Sequence, residues 1–148
     1  MAKTVFIVVP VLLTWVAGYV DAVGFISLGQ IYTANMSGNS IAVGIQTVAR
    51  DWPEALIRFW PVLTYVAGLL FCRLLLQFGA RRHIRRIATV TLALEIGLLI
   101  LVCFGQSQPA ATTLPAVTYI GLLAIAMGIQ NGTLTLSAGG VTLAMQKK

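Results

Sequence analysis

The sequence predicts an all-α membrane protein, a bundle of about five transmembrane helices (four to six), and three observations predict it. First, 58% of its 148 residues are hydrophobic and only 9% are charged, with mean hydropathy +0.90. A soluble domain carries about 25% charge and still exposes roughly a third of its unfolded surface, so it could not hide this much apolar area. Second, the charges are spaced far apart: seventeen uncharged residues separate Lys3 from Asp21, twenty-eight separate Asp21 from Arg50, and fifty-one separate Glu95 from Lys147. Third, no alternation of barrel-strand type is present, and backbone buried in lipid must then pair within helices. Soluble enzymes, disordered chains and disulfide scaffolds are thereby excluded. The net charge of +6 does not indicate a nucleic-acid partner, because four of the ten cations form one short cluster between apolar runs.

A span needs about 20 apolar residues to cross a core of about 30 Å. On that basis one integral membrane domain covers 1–148, with spans at about 5–28, 33–49, 59–79, 87–104 and 114–136. The run from Lys3 to Val20-Asp21-Ala22 has some features of a leader peptide, but more membrane-grade sequence follows, so an uncleaved first span is expected. Asp51-Trp52-Pro53-Glu54 reads as a turn and helix start with Pro53 in the first turn. Gln106-Ser107-Gln108-Pro109, with Thr112, Thr113 and Pro115, is a polar connection. Trp52, Trp60 and Tyr119 suit interfacial belts, whereas Trp15 and Tyr65 lie deep for that role. Ser137–Met145 is too short to cross again.

Arg81, Arg82, Arg85 and Arg86 mark a cytoplasmic loop at 80–86 under the positive-inside rule. Counting back over five spans puts Arg50–Arg58 and the N-terminus outside; counting forward puts Lys147 and Lys148 inside.

Asp21, Arg73 and Glu95 fall within spans, where a charge costs about 2.5–3.5 kcal/mol on insertion scales and so needs a partner or a wet cavity. Arg73 can snorkel toward the arginine cluster. Glu95 either pairs with Arg73 or takes up protons. Gly18 and Ala22 form a small-residue stripe for close helix packing, with Asp21 beside it. Asn35, Ser37, Gly38, Asn39 and Ser40 concentrate amide, hydroxyl and glycine at the start of the second span. They serve either as glue between helices or as the lining of a polar cavity.

At an offset of 110 residues, Gly128-Ile129-Gln130-Asn131-Gly132 resembles Gly18-Tyr19-Val20-Asp21-Ala22, and Gly29 pairs with Gly139 and Ala34 with Ala144. Ala124, Gly128 and Gly132 repeat the stripe, and Asn131 stands where Asp21 stands. Four spans separate the two starts, so two partial repeats of similar orientation are expected, with a site near the midplane where they meet.

Gly18-Tyr19-Val20-Asp21-Ala22, Met36-Ser37-Gly38-Asn39 and Gly128-Ile129-Gln130-Asn131 resemble the signature segments of the YoaK-like bacterial membrane proteins. That resemblance covers nearly the whole chain and implies a multi-helix inner-membrane protein, loosely described as a permease, with no reaction or substrate attached. Members of that family continue past Gln-Asn through a second Thr-Gly motif and a further helix. Against that pattern the second repeat is incomplete at the C-terminus, and the expectation is a truncated or frameshifted member, or one whose last helix comes from elsewhere.

His83 lies alone in the arginine cluster, Cys72 and Cys103 occupy separate spans as small hydrophobes, and no phosphate loop or intramembrane Ser/His pair exists. No enzyme activity, metal or cofactor is expected. Two functions remain. In the first, a small-molecule or ion permease, Asp21, Ser37, Asn39, Glu95 and Asn131 line the pathway, and Asp21 and Glu95 carry protons. In the second, a non-transporting scaffold, the same groups only pair helices. The partners expected are the lipid bilayer and a small molecule or proton, with no nucleic acid; self-association is left open.

Overall fold

A computed structural model describes residues 2–82, 87–107 and 114–146. They form five helices: α1 (Ala2–Ser27), α2 (Met36–Val48), α3 (Trp52–Arg81), α4 (Ile87–Gln106) and α5 (Ala116–Gln146). The all-α bundle expected from composition is what forms. Arg85, Arg86 and His83, the greater part of the 106–115 connection, and Lys147 and Lys148 lie outside the described residues.

Helix starts and stops follow local chemistry. Asp51 caps α3, its carboxylate accepting the Glu54 N–H at 3.3 Å, with Pro53 in the first turn where its missing N–H costs nothing. The expected loop Arg50–Arg58 is therefore mostly the first two turns of α3, and Arg58 pairs with Glu54 at 2.9 Å one turn back. At the end of α1 the Gln30 N–H reaches back to the Phe25 carbonyl at 3.0 Å, with Gly29 left-handed at φ 76°. The end of α2 repeats this closure: Asp51 N–H bonds the Gln46 carbonyl at 2.9 Å, with Arg50 left-handed at φ 60°.

Helix directions follow from cross-contacts. Trp60 Nε1 donates to the Val117 carbonyl at 3.1 Å, and Gly68 and Gly128 meet the backbones of Ile125 and Tyr65, so α3 and α5 run parallel. Gln130 on α5 donates to the Leu13 carbonyl at 2.8 Å, while Leu28, past the other end of α1, clusters with Tyr119 and Leu123. Hence α1 is antiparallel to α5 and to α3. Arg58 confirms the pairing of ends, donating to the Gln30 carbonyl at 3.0 Å.

Two expectations are corrected by these directions. The second span was expected at 33–49, but α2 has 13 residues, about 20 Å of helix, and begins only at Met36. Four helices among the described residues are long and apolar enough to cross a membrane, and α2 is not one of them. The chain leaves α1 and enters α3 at the same end of the bundle, so 28–51 is an excursion that starts and finishes at that end. The uncharged run was long enough for a span, but polar residues 33–39 break its helix. The repeats are likewise not similarly oriented: removing one crossing inverts α5 relative to α1. By the same logic Lys3, in the first turn of α1, shares an end with Arg81 and Arg82, and the opposite end carries Arg50, Asp51, Glu54 and Arg58 with no net charge.

The central helix is α5, packed on α3, α4 and, more lightly, α1. Its Ala124, Ala126, Met127 and Ile129 are almost wholly buried. Small residues make this possible. A Cβ at Gly128 would collide with the Tyr65 carbonyl, one at Gly68 with the Ile125 carbonyl, and one at Gly132 would sit 3.0 Å from Cys72. Ala124, Gly128 and Gly132 therefore pack as the sequence predicts, and Gly68 is their counterpart on α3. The Gly18 and Ala22 stripe does not: both are exposed, and a Cβ at Gly18 would meet nothing within 4 Å. Elsewhere the large apolar side chains of α1, α3 and α4 face outward, as a lipid-solvated bundle requires.

Candidate functional site

The site is built on the segment Leu28–Asn35, the irregular backbone between α1 and α2. Asp21 lies about 9 Å inside the end of α1, six residues before Ser27. Its Oδ1 accepts the backbone N–H groups of Thr33 and Ala34, each at 2.6 Å, and the Thr33 hydroxyl at 3.3 Å; its Oδ2 accepts the Asn35 N–H at 2.9 Å. Charge-assisted bonds to a carboxylate are the strong kind, and they take up three backbone N–H groups that no helix pairs. From the other side the buried Asn39 amide binds Tyr32 twice: Oδ1 accepts its N–H at 3.1 Å, and Nδ2 donates to its carbonyl at 2.6 Å. The Tyr32 ring stacks on Phe25 at 4.9 Å between centroids and lies against Gly38, where a Cβ would approach within 2.8 Å. Gly38 is thus a clearance for Tyr32, not part of a helix–helix stripe. Ser37 is exposed and donates to Asn35 Oδ1 at 2.6 Å.

Held this way, the segment contributes Ala34 to a pocket of about 140 Å³, mostly apolar with four polar side chains, whose other lining residues are Leu13, Thr14 and Ala17 of α1, Tyr65 of α3, and Met127, Gln130, Asn131 and Leu134 of α5. Leu13, Tyr65 and Asn131 each fall near the middle of their helices. The Asn131 amide donates to the Tyr65 hydroxyl, and Gln130, almost wholly buried, spends its Nε2 on the Leu13 carbonyl. Among the described residues, Gln130 Oε1, Asn131 Oδ1 and the Tyr65 hydroxyl proton have no protein partner.

The expected site residues are therefore only partly brought together. Asp21 and Asn39 fix the loop, and Asn131 lies across the pocket from it. Glu95 stands apart on the α4 face toward α5, 2% exposed, with its Oε2 bonded to nothing among the described residues. Arg73 is exposed and makes no ion pair with it. One turn away a chain of small polar groups crosses three helices. Cys72 Sγ lies 3.4 Å from Thr133 Oγ1, which donates to Thr91 Oγ1 at 2.9 Å, and Thr91 in turn donates to the Ala88 carbonyl at 2.9 Å. Cys72 is fully buried within this chain, and Cys103 is exposed. Among the described residues no group of three His, Cys, Asp or Glu is placed to hold a metal.

Sequence reasoning passed over Tyr65, Gln130 and Gly68. Tyr65 carried a signal, its depth, and Gln130 lay inside the segment that singled out Asn131. Ala34 had none, since its part in the site is played by its backbone.

Comparison with known proteins agrees with a membrane assignment. The UPF0700 transmembrane protein YoaK of Bacillus subtilis (strain 168) is 29% identical over 119 residues, which cover 80% of this chain and 52% of that protein. The chain thus spans about half the length of this relative. No solved structure matches. A family described as "Protein of unknown function (DUF1275)" matches residues 9–146. The chain is a multi-pass membrane protein and belongs to the DUF1275 family.

Proposed function

We propose that the chain forms a small-molecule permease of the bacterial cytoplasmic membrane, with the pocket between α1, α3 and α5 as its solute site, and that it performs no catalysis. One observation carries this reading: irregular backbone and uncommitted hydrogen-bonding groups meet at mid-bundle depth, between two helices of opposite direction. Non-helical backbone at that depth is tolerated where protein or a water-filled cavity covers it, and transporter sites lie where inverted segments meet. In this reading Asp21 positions the loop, its carboxylate spent on three backbone N–H groups. Glu95, buried and apart from the pocket, is the carboxyl proposed for proton coupling. The end bearing Lys3, Arg81 and Arg82 faces the cytoplasm under the positive-inside rule.

A scaffold without transport is the second reading, and the commitment of Asp21 and Asn39 to the loop favours it. It explains the anchored loop but leaves the free groups of Tyr65, Gln130 and Asn131 without a use. The two readings separate in proteoliposomes presented with a panel of radiolabelled small solutes, with and without a pH gradient. The permease reading expects uptake of at least one solute above protein-free vesicles, abolished by Asn131→Leu in protein that still elutes as a folded species. Uptake at the protein-free level across the panel contradicts it.

A further inference from the structure

Resting on the permease reading, we infer that the pocket selects small uncharged polar solutes and rejects ions of both signs. Its walls are largely apolar, from Leu13, Ala17, Ala34, Met127 and Leu134, and its polar groups are the hydroxyls and amides of Thr14, Tyr65, Gln130 and Asn131, with no carboxylate or cation among the lining residues. They present both halves of a hydrogen-bond code. The Tyr65 hydroxyl has its proton to donate, while Gln130 Oε1 and Asn131 Oδ1 are free to accept. Thr14 donates to the Pro10 carbonyl at 2.8 Å and keeps its lone pairs for a solute.

The charges inside the bundle are withheld from this space. Asp21 is absent from the lining and spends its carboxylate on Thr33, Ala34 and Asn35. Glu95 and Arg73 are absent from the lining, and Arg73 is exposed. A neutral solute entering here exchanges water for amide and hydroxyl partners at little cost. An ion would surrender its hydration to a site that offers no countercharge. The volume of about 140 Å³ admits molecules of a few heavy atoms.

The test uses three planar probes of similar size and different charge: urea, guanidinium and nitrate, with glycerol as a second neutral probe. The full chain is reconstituted in phosphatidylcholine–phosphatidylglycerol vesicles and tracer entry is timed. The expected result is entry of urea or glycerol at least tenfold above protein-free vesicles, with guanidinium and nitrate at the protein-free level. Asn131→Asp is expected to slow the neutral probes and admit guanidinium. Guanidinium or nitrate entering the unsubstituted protein as fast as urea overturns the selectivity and leaves the permease reading standing. Entry of none of the four overturns the selectivity, and the permease reading is then decided by the wider solute panel.

Discussion

The Asp21 carboxylate lies 2.6 Å from the backbone N–H of Ala34, and Ala34 lines the pocket between α1, α3 and α5. One charged side chain within α1 thus shapes a pocket that it does not line. Removing it leaves the N–H groups of buried Thr33 and half-buried Ala34 unpaired, each at a cost of about 1–3 kcal/mol, while the Asn35 N–H is exposed. Asp21→Ala is expected to destabilise the protein by at least about 2 kcal/mol in denaturant titrations in detergent. Asp21→Asn keeps one acceptor oxygen and should lose about half as much. Equal stability of the wild type and Asp21→Ala would contradict the anchoring role.

The two glycine stripes should respond in opposite ways. Gly128→Ala drives a methyl into the Tyr65 carbonyl and pushes α3 from α5, costing about 1–3 kcal/mol as overpacking does. Gly18→Ala meets nothing and removes helix-interior backbone freedom, so it should be neutral or stabilise by about 0.5–1 kcal/mol. Paired unfolding curves of the two variants check this.

Arg50 occupies a left-handed position at the end of α2, φ 60°, that a side chain adopts at a cost of about 1–2 kcal/mol. Arg50→Gly should recover about 1 kcal/mol, read as a raised midpoint in the same titration. Arg50→Ala, which keeps the Cβ, should not.

Glu95 buries a carboxyl oxygen that has no partner among the described residues. Burying a carboxyl without a hydrogen-bond partner costs free energy that an apolar side chain of similar volume does not incur. Glu95→Met should therefore hold or raise the unfolding midpoint. A fall of several kcal/mol would mean that Glu95 has a partner outside the described residues.

Much of the fold was legible because hydropathy and capping are local properties. Asp51 and Pro53 announced the start of α3, and Ala124, Gly128 and Gly132 announced the packing face of α5. What failed depended on partners. Gly18 and Ala22 have the same spacing as the α5 stripe, yet among the described residues no helix packs on them, and spacing alone does not reveal that. Asp21 and Asn39 were recognisable as residues that need partners, but their partners are backbone groups of residues 32–35, which carry no side-chain signature. The length of an uncharged run could not distinguish a crossing from a loop and a short helix. That one miscount inverted the expected direction of α1 and of the repeat.

The most direct test of the account is therefore the topology that places the Asp21-anchored segment on a single end of the bundle. In a Cys72→Ala, Cys103→Ala background, single cysteines at Lys3, Arg50 and Arg81 are labelled with a membrane-impermeant maleimide in sealed, oriented vesicles. The account predicts that Lys3→Cys and Arg81→Cys label from one side and Arg50→Cys from the other. Labelling of Lys3→Cys and Arg50→Cys from the same side, opposite Arg81→Cys, would restore a crossing at α2 and contradict it.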